Sequence, residues 1–258
     1  MAEANAAGSS TTARTTHDIG KALREVQATV TMASKFASHP VRLVAVSKKK
    51  PPQDILEAYK QGQCHFGENY VQELVDKASS SLLVDLPNIR WHFIGHLQRN
   101  KCNNVLSIPH IWCVETVDSD RLATALDASW GKKQTDPSQK LHVFVQVNTS
   151  GEASKSGCDP DTTAEIVHHV LENCFNLEFK GLMTIGRFGH DYTIGSNPDF
   201  EALVATRRQI CQSLSMSEED CELSMGMSAD YEEAIKAGST NVRVGSTIFG
   251  ARELKKTM

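Results

Sequence analysis

The chain has 258 residues, 40% of them apolar, and its 27 Lys and Arg against 31 Asp and Glu leave a net charge of −4. That apolar share supports a sizeable core, so disorder of the whole chain is excluded, and the lack of a clustered basic face disfavours a nucleic-acid scaffold. No apolar run approaches the roughly 18 residues that a membrane helix needs, and seven cysteines, odd in number and without a CxxC pair, read as reduced core thiols of a cytoplasmic protein.

Residues 1–15 are rich in Ala, Ser and Thr, lack the apolar core of a secretory signal, and read as a disordered tail; Glu3 and the scarcity of basic residues argue against an organellar leader. A long helix is predicted over 16–38, with Leu23, Val26 and Val30 on one side. Apolar strand candidates then follow at 41–47, 64–66, 91–95, 111–117, 141–148, 177–185, 221–224 and 242–245. Helical patterns fall at 52–61, 69–79, 97–105, 119–129, 161–173, 199–213 and 229–237. Asp118-Ser119, Asp159-Pro160 and Asn197-Pro198 carry start signals, and Gly238 a stop signal. Such alternation implies parallel strands joined by right-handed crossovers. Eight repeats favour an α/β fold of the (β/α)8 TIM-barrel type with an extra N-terminal helix over an open doubly wound sheet. No GxGxxG follows the first strand, which weakens a dinucleotide-binding reading. The expected organisation is a single barrel domain over 16–258.

In such a barrel the C-terminal strand ends carry function, and the loops after strands seven and eight commonly hold phosphate. Ser224-Met225-Gly226-Met227-Ser228 follows the seventh strand and opens a helix, with Gly226 permitting close backbone approach and Ser228 placed as the N-cap. Arg243-Val244-Gly245-Ser246-Thr247 ends the eighth, again glycine followed by hydroxyls. Ordinary capping is the plainer account of either loop alone. Strand alternation puts Val44, Val46 and Lys48 on one face and Ser47 and Lys49 on the other. With the first face inward, Lys48 emerges at the rim of the cavity. Solvated charge at a strand end accounts for most lysine runs, yet an amine and an anion cradle at one barrel mouth are what a pyridoxal phosphate Schiff base requires. Arg243 aimed inward would donate to the pyridine nitrogen and, staying protonated, keep the ring a poor electron sink; pairing with a rim carboxylate is the other account of it.

Val44-Ala45-Val46-Ser47-Lys48, His65-Phe66-Gly67-Glu68-Asn69-Tyr70-Val71-Gln72-Glu73, Trp91-His92-Phe93-Ile94-Gly95, Leu182-Met183-Thr184-Ile185, Ser224-Met225-Gly226-Met227-Ser228 and the run from Val242 to Arg252 resemble the pyridoxal phosphate homeostasis protein family, single-domain relatives of the alanine racemase barrel. The resemblance spans about Val41 to Arg252. It implies pyridoxal 5'-phosphate on Lys48, Arg243 near the ring nitrogen, and Ser228, Gly245 and Ser246 on the phosphate. Met227 and Asn69 complete the implied cofactor-binding set. It further implies a buffer of intracellular vitamin B6 with no evident turnover, delivering cofactor to apo-enzymes, as a monomer or weak dimer. Ser246 stands where many members carry threonine, and the hydroxyl is kept. A pyridoxal phosphate-dependent racemase or lyase is the alternative, although racemisation needs a second base from another domain, for which the sequence offers no material. A phosphate-substrate barrel without cofactor is a third, weaker reading. His92 and His96 straddle a strand end and are not expected to converge on a metal. His168 and His169 read as surface, Asn148 as lining the mouth, and Lys155 as the runner-up amine.

Overall fold

The structure, a computed structural model, describes residues 17–36, 40–136 and 138–251; the tail expected over 1–15 lies outside them. Helix α1 (Ile19–Ala33) starts where the Asp18 carboxylate accepts the Lys21 amide at 2.8 Å. Its buried Leu23, Val26 and Val30 recur at helical spacing and turn toward the body of the protein. The strands are β1 (Arg42–Val46), β2 (His65–Glu68), β3 (Arg90–Phe93), β4 (Ile111–Val117), β5 (Leu141–Gln146), β6 (Leu177–Met183), β7 (Glu222–Met227) and β8 (Asn241–Val244). Between them run α2 (Pro52–Lys60), α3 (Val71–Ala78), α4 (Cys102–Leu106), α5 (Asp120–Lys133), α6 (Thr163–Asn173), α7 (Pro198–Ser213) and α8 (Tyr231–Lys236). A short α9 (Ser246–Phe249) follows β8. Every strand pairs parallel with its successor, and β8 returns to β1 with Leu43 opposite Val242, closing the barrel. Helix α1 packs on α2, α8 and α9, across the seam where the chain's two ends meet.

The two faces of the strands differ. Outward residues such as Ala45, Phe66, Phe93, Val114, Val143, Leu182, Leu223 and Val244 join the buried helix faces in one apolar layer. Each large side chain removed from water there contributes about 1.5–3 kcal/mol. The inward apolar residues form a much smaller cluster of Cys113, Phe144 and Met183 with Trp112 packed against it. Much of the remaining interior is polar: His92, Glu115, Gln146, Ser224, Asn241 and Arg243 are all buried. At the N-terminal end the Arg42 guanidinium lies 4.5 Å from the Trp112 ring centroid and pairs with Glu222 at 2.6 Å.

Three local expectations change. β7 runs on to Met227, because Gly226, at φ +93°, is a bulge inside the strand and not a turn after it. The β7–β8 register shifts between Ser224 and Met227, and a Cβ on Gly226 would sit 2.4 Å from the Ala234 Cβ. The helix expected over 97–105 is a 3-10 turn at Arg99–Lys101 followed by the five residues of α4. α9, four residues long, is too short to show periodicity in the sequence.

Candidate functional site

The end of β1 is clamped from outside. The Ser47 hydroxyl points outward and donates to Glu68 Oε1 at 2.6 Å. Lys77 of α3 sends its ammonium to Ser47 O at 2.7 Å, Glu68 Oε1 at 2.7 Å and Glu73 Oε1 at 2.6 Å, which occupies all three of its protons. Glu73 Oε1 also accepts the Lys49 amide. The backbone on both sides of Lys48 is thereby held, and Lys49 takes a left-handed φ of 61°, uncommon outside glycine. Lys49 is exposed beside the Tyr70 ring, and Lys50 donates to Ala251 O at 3.3 Å. With Ser47 outward, alternation puts the half-buried Lys48 on the inward face above Val44 and Val46.

Register brings Asn69 alongside. Val46 pairs with Gly67, whose ideal Cβ would meet the Val44, Val46 and Ile94 side chains, so this face is interior. Two residues further along the chain, just past the ends of β1 and β2, stand Lys48 and Asn69. The Asn69 backbone occupies space that only glycine leaves open, since a Cβ at Gly95 would fall 1.9 Å from Asn69 O. Asn69 Oδ1 is buried and has no donor among the described residues.

The β7 and β8 loops meet at the same mouth. The Ser228 hydroxyl accepts from the Gly245 amide at 3.0 Å and from the Thr247 amide at 3.4 Å. Ser228 is therefore not the N-cap of α8, as the sequence suggested; Asp230 is, and its Oδ1 accepts the Met227 amide at 2.6 Å. The reason is the longer β7, which delays the helix start to Tyr231. Gly245 is packed on β1: its ideal Cβ would lie 3.2 Å from Val46 O. Ser246 and Thr247 are exposed at the start of α9. The structure thus brings Lys48, Asn69, Met227, Ser228, Gly245 and Ser246 to one end of the barrel.

Arg243 lies below them, buried. Its Nη1 donates to Ser224 Oγ at 2.6 Å and its Nη2 to Thr184 O at 2.8 Å. Its surroundings were not apparent beforehand. Glu115 accepts from Ser224 Oγ at 2.6 Å and from His92 Nδ1 at 2.6 Å, and Asn241 Nδ2 lies 3.3 Å from both carboxylate oxygens. His92 Nε2 in turn meets His65 Nδ1 at 2.8 Å. The available signal was parity: polar residues at inward positions of apolar strands, as in Ile111–Val117, are costly unless partnered.

Burial raises the Glu115 pKa, but its hydrogen bonds from His92 and Ser224 and the charge of Arg243 outweigh that and hold it below the ordinary range. Burial drives the His65 pKa down to about 2 and also lowers that of His92. Both imidazoles are therefore neutral. A histidine whose folded pKa lies below its unfolded value of about 6.5 binds fewer protons when folded. Stability is accordingly full above that value and falls as pH drops through it, by about 1.4 kcal/mol per pH unit for each histidine. Urea midpoints measured from neutral to acid pH should show this loss, and His65→Asn should flatten it.

His92, Cys113 and Glu115 place potential ligand atoms within 4.8 Å of one another. His92 and Glu115 are already hydrogen-bonded to each other and to His65 and Ser224, and burial pushes the Cys113 thiol well above its usual pKa, which disfavours the thiolate a metal would need. His96 is exposed and does not join it. Lys155 donates to Gly186 O at 2.6 Å and pairs with Glu152 at 2.5 Å, on the mouth but committed to neighbouring loops. The Asn148 amide donates to Glu152 O at 3.0 Å in the same loop.

A closed parallel barrel with a clamped lysine after β1 and an amide–hydroxyl cradle after β7 and β8 defines a barrel of the alanine racemase type. Residues 22–253 match the family model described as "Alanine racemase, N-terminal domain". Over 244 residues the chain is 50% identical to the pyridoxal phosphate homeostasis protein of Homo sapiens, covering 92% of this chain and 88% of that one. The structure of PipY from Synechococcus elongatus with PLP bound superposes with a TM-score of 0.73 at 31% identity, over 90% of this chain and all of that one (100%). Alanine racemase from Corynebacterium glutamicum, 14% identical, shares the fold alone, with a TM-score of 0.62 over 93% of this chain and 63% of the racemase. The chain belongs to the pyridoxal phosphate homeostasis protein family, within the alanine racemase N-terminal domain group.

Proposed function

We propose that this protein binds pyridoxal 5'-phosphate at the C-terminal mouth of the barrel, holds it on Lys48, and buffers and delivers it in intracellular vitamin B6 homeostasis without turning over a substrate. One juxtaposition carries the reading: Gly245, whose amide meets the Ser228 hydroxyl, packs against Val46, two residues before Lys48. The name of the human relative and the PLP-bound state of PipY support it.

The residues present fit the group. The Gly245 and Thr247 amides with the Ser228 and Ser246 hydroxyls suit a phosphate. Asn69 Oδ1, a buried acceptor without a donor, suits a ring hydroxyl. Arg243 has N–H groups left over for the ring nitrogen, since Ser224 and Thr184 occupy only part of its donor set. When bound, the cofactor would supply an aldehyde, and Lys48 is the residue whose amine would hold it covalently. Arg243 cannot protonate the ring nitrogen, because it does not give up its own proton, and this disfavours carbanion chemistry. Met227, whose backbone is tied to Asp230, flanks the cradle. No helix among the described residues is long and apolar enough to cross a membrane. The proposed carrier is cytoplasmic, and its partners are apo-enzymes lacking their cofactor.

The test is an absorption spectrum of the purified protein with added pyridoxal phosphate, before and after borohydride. The expected result is a visible band that borohydride abolishes while fixing the cofactor to the chain. A chain that stays colourless would contradict the reading. Incubation of the loaded protein with L- and D-amino acids should leave optical rotation unchanged; interconversion would place the protein among the racemases.

A further inference from the structure

We infer that Glu115 is a positioning residue for the cofactor, fixing the charge and orientation of Arg243 through Ser224 and thereby the state of the ring nitrogen that Arg243 addresses. This rests on the binding reading above and adds to it a residue that touches neither the cofactor nor Lys48.

Hydrogen-bond directions around Ser224 fix the arrangement. A serine hydroxyl has one proton to give and two lone pairs to receive with. Ser224 Oγ faces three partners: Arg243 Nη1 at 2.6 Å, Asn241 Nδ2 at 2.9 Å and Glu115 Oε2 at 2.6 Å. The first two can only donate, so the hydroxyl must donate to Glu115 and accept from both others. Its capacity is then full. Glu115 is ionised: its pKa is held below the ordinary range, and Ser224 and Asn241 both present protons to it. His92 gives its Nδ1 proton to Glu115, which leaves Nε2 bare to accept from His65 Nδ1. Each donor in the series from His65 to Arg243 has one permitted direction, set by the carboxylate at its centre.

The carboxylate also balances charge. Arg243 and Glu115 are both buried inside the barrel, and the neutral histidines beside Glu115 add none. Asp230 is the other carboxylate acting on Arg243, and it is engaged by the Met227 amide. Replacing Glu115 with glutamine keeps size but substitutes an amide donor for one acceptor oxygen. That donor opposes either the Ser224 proton or the His92 proton. Where it faces Ser224, the hydroxyl must turn and the Arg243 Nη1 bond weakens; in either arrangement the carboxylate charge is gone and the guanidinium faces the ring without it.

The experiment uses the full chain loaded with pyridoxal phosphate isotopically labelled at its ring nitrogen. Glu115→Gln should move the ring-nitrogen NMR resonance from its wild-type position and weaken cofactor binding by about tenfold, as loss of a charge-assisted contact does. Ser224→Ala, which removes only the bridging hydroxyl, should move the same resonance. Glu222→Gln, which breaks the Arg42 pair at the opposite end of the barrel, should leave it in place and so marks the effect of structural damage alone. A folded Glu115→Gln protein with the wild-type resonance overturns the inference. If that variant does not fold, an unmoved resonance in Ser224→Ala overturns it instead. Failure of the wild-type protein to take up cofactor at all would be a different result, overturning the binding reading and this inference with it.

Discussion

Lys48→Ala is expected to leave a folded barrel that no longer retains pyridoxal phosphate through borohydride reduction and denaturation. Lys48 is half-buried at a strand end, outside the apolar layer, so its removal should change stability by no more than about 0.5 kcal/mol. The proposed cradle of Ser228 and the Gly245 and Thr247 amides is untouched, so phosphate contact is expected to persist. Affinity should therefore fall by on the order of a hundredfold, about 3 kcal/mol, and not to nothing. The visible band should disappear altogether, since neighbouring amines cannot replace the missing one. Lys49 is turned outward by its left-handed backbone, Lys50 is bound to Ala251 O, and Lys155 is engaged by Gly186 O and Glu152. Equilibrium dialysis and absorbance on the same sample give both numbers. Retention of a reducible band in Lys48→Ala would assign the amine elsewhere.

Lys77→Met should have the largest effect on stability. The Lys77 side chain is 6% exposed and Glu68 fully buried, and among the described residues Lys77 is the one cation bonded to Glu68. Breaking a buried pair by removing one partner costs about 3–5 kcal/mol, because the other charge is left uncompensated. Burial already raises the Glu68 pKa, with Lys77 as the main opposing influence. Without Lys77 that carboxyl is pushed further upward and protonates more readily. A carboxyl whose folded pKa is raised loses stability as pH climbs from its unfolded pKa to the folded one, so the deficit in urea midpoint should be smaller in mild acid than in alkali. The double variant with Glu68→Gln should recover much of the loss. The site should suffer as well: Lys77 holds the Ser47 carbonyl and orients Glu73 on the Lys49 amide, so slower cofactor loading on Lys48 should accompany the lower midpoint. A midpoint within about 1 kcal/mol of wild type would show that the ion pair is not what braces β1.

Much of this architecture can be read from the chain, and the limits are physical. Each of the eight strands lies within or beside an apolar run identifiable beforehand, because a strand covered on both faces needs such a run. Lys48 and Ser47 could be sorted by alternation, and the two glycine-hydroxyl loops by their place after the last strands. What alternation cannot supply is azimuth. It puts Glu115 and Ser224 on inward faces without saying that closure will bring residues 109 positions apart to 2.6 Å. Lys77 was concealed for a related reason. A lysine near the end of an amphipathic helix looks like a solvated cation, and only its reach back to Ser47 O and Glu68 buries it. At Gly226 close backbone approach is legible, and α8 makes it, but nothing in the sequence shows that the strand continues past the glycine to Met227.

The most direct test is to reduce the loaded wild-type protein with borohydride, digest it, and sequence the labelled peptide by mass spectrometry. The account predicts a single pyridoxyl group on Lys48, with Lys49, Lys50 and Lys155 unmodified. A label on any of those three with Lys48 bare, or labels scattered over surface lysines, would contradict it.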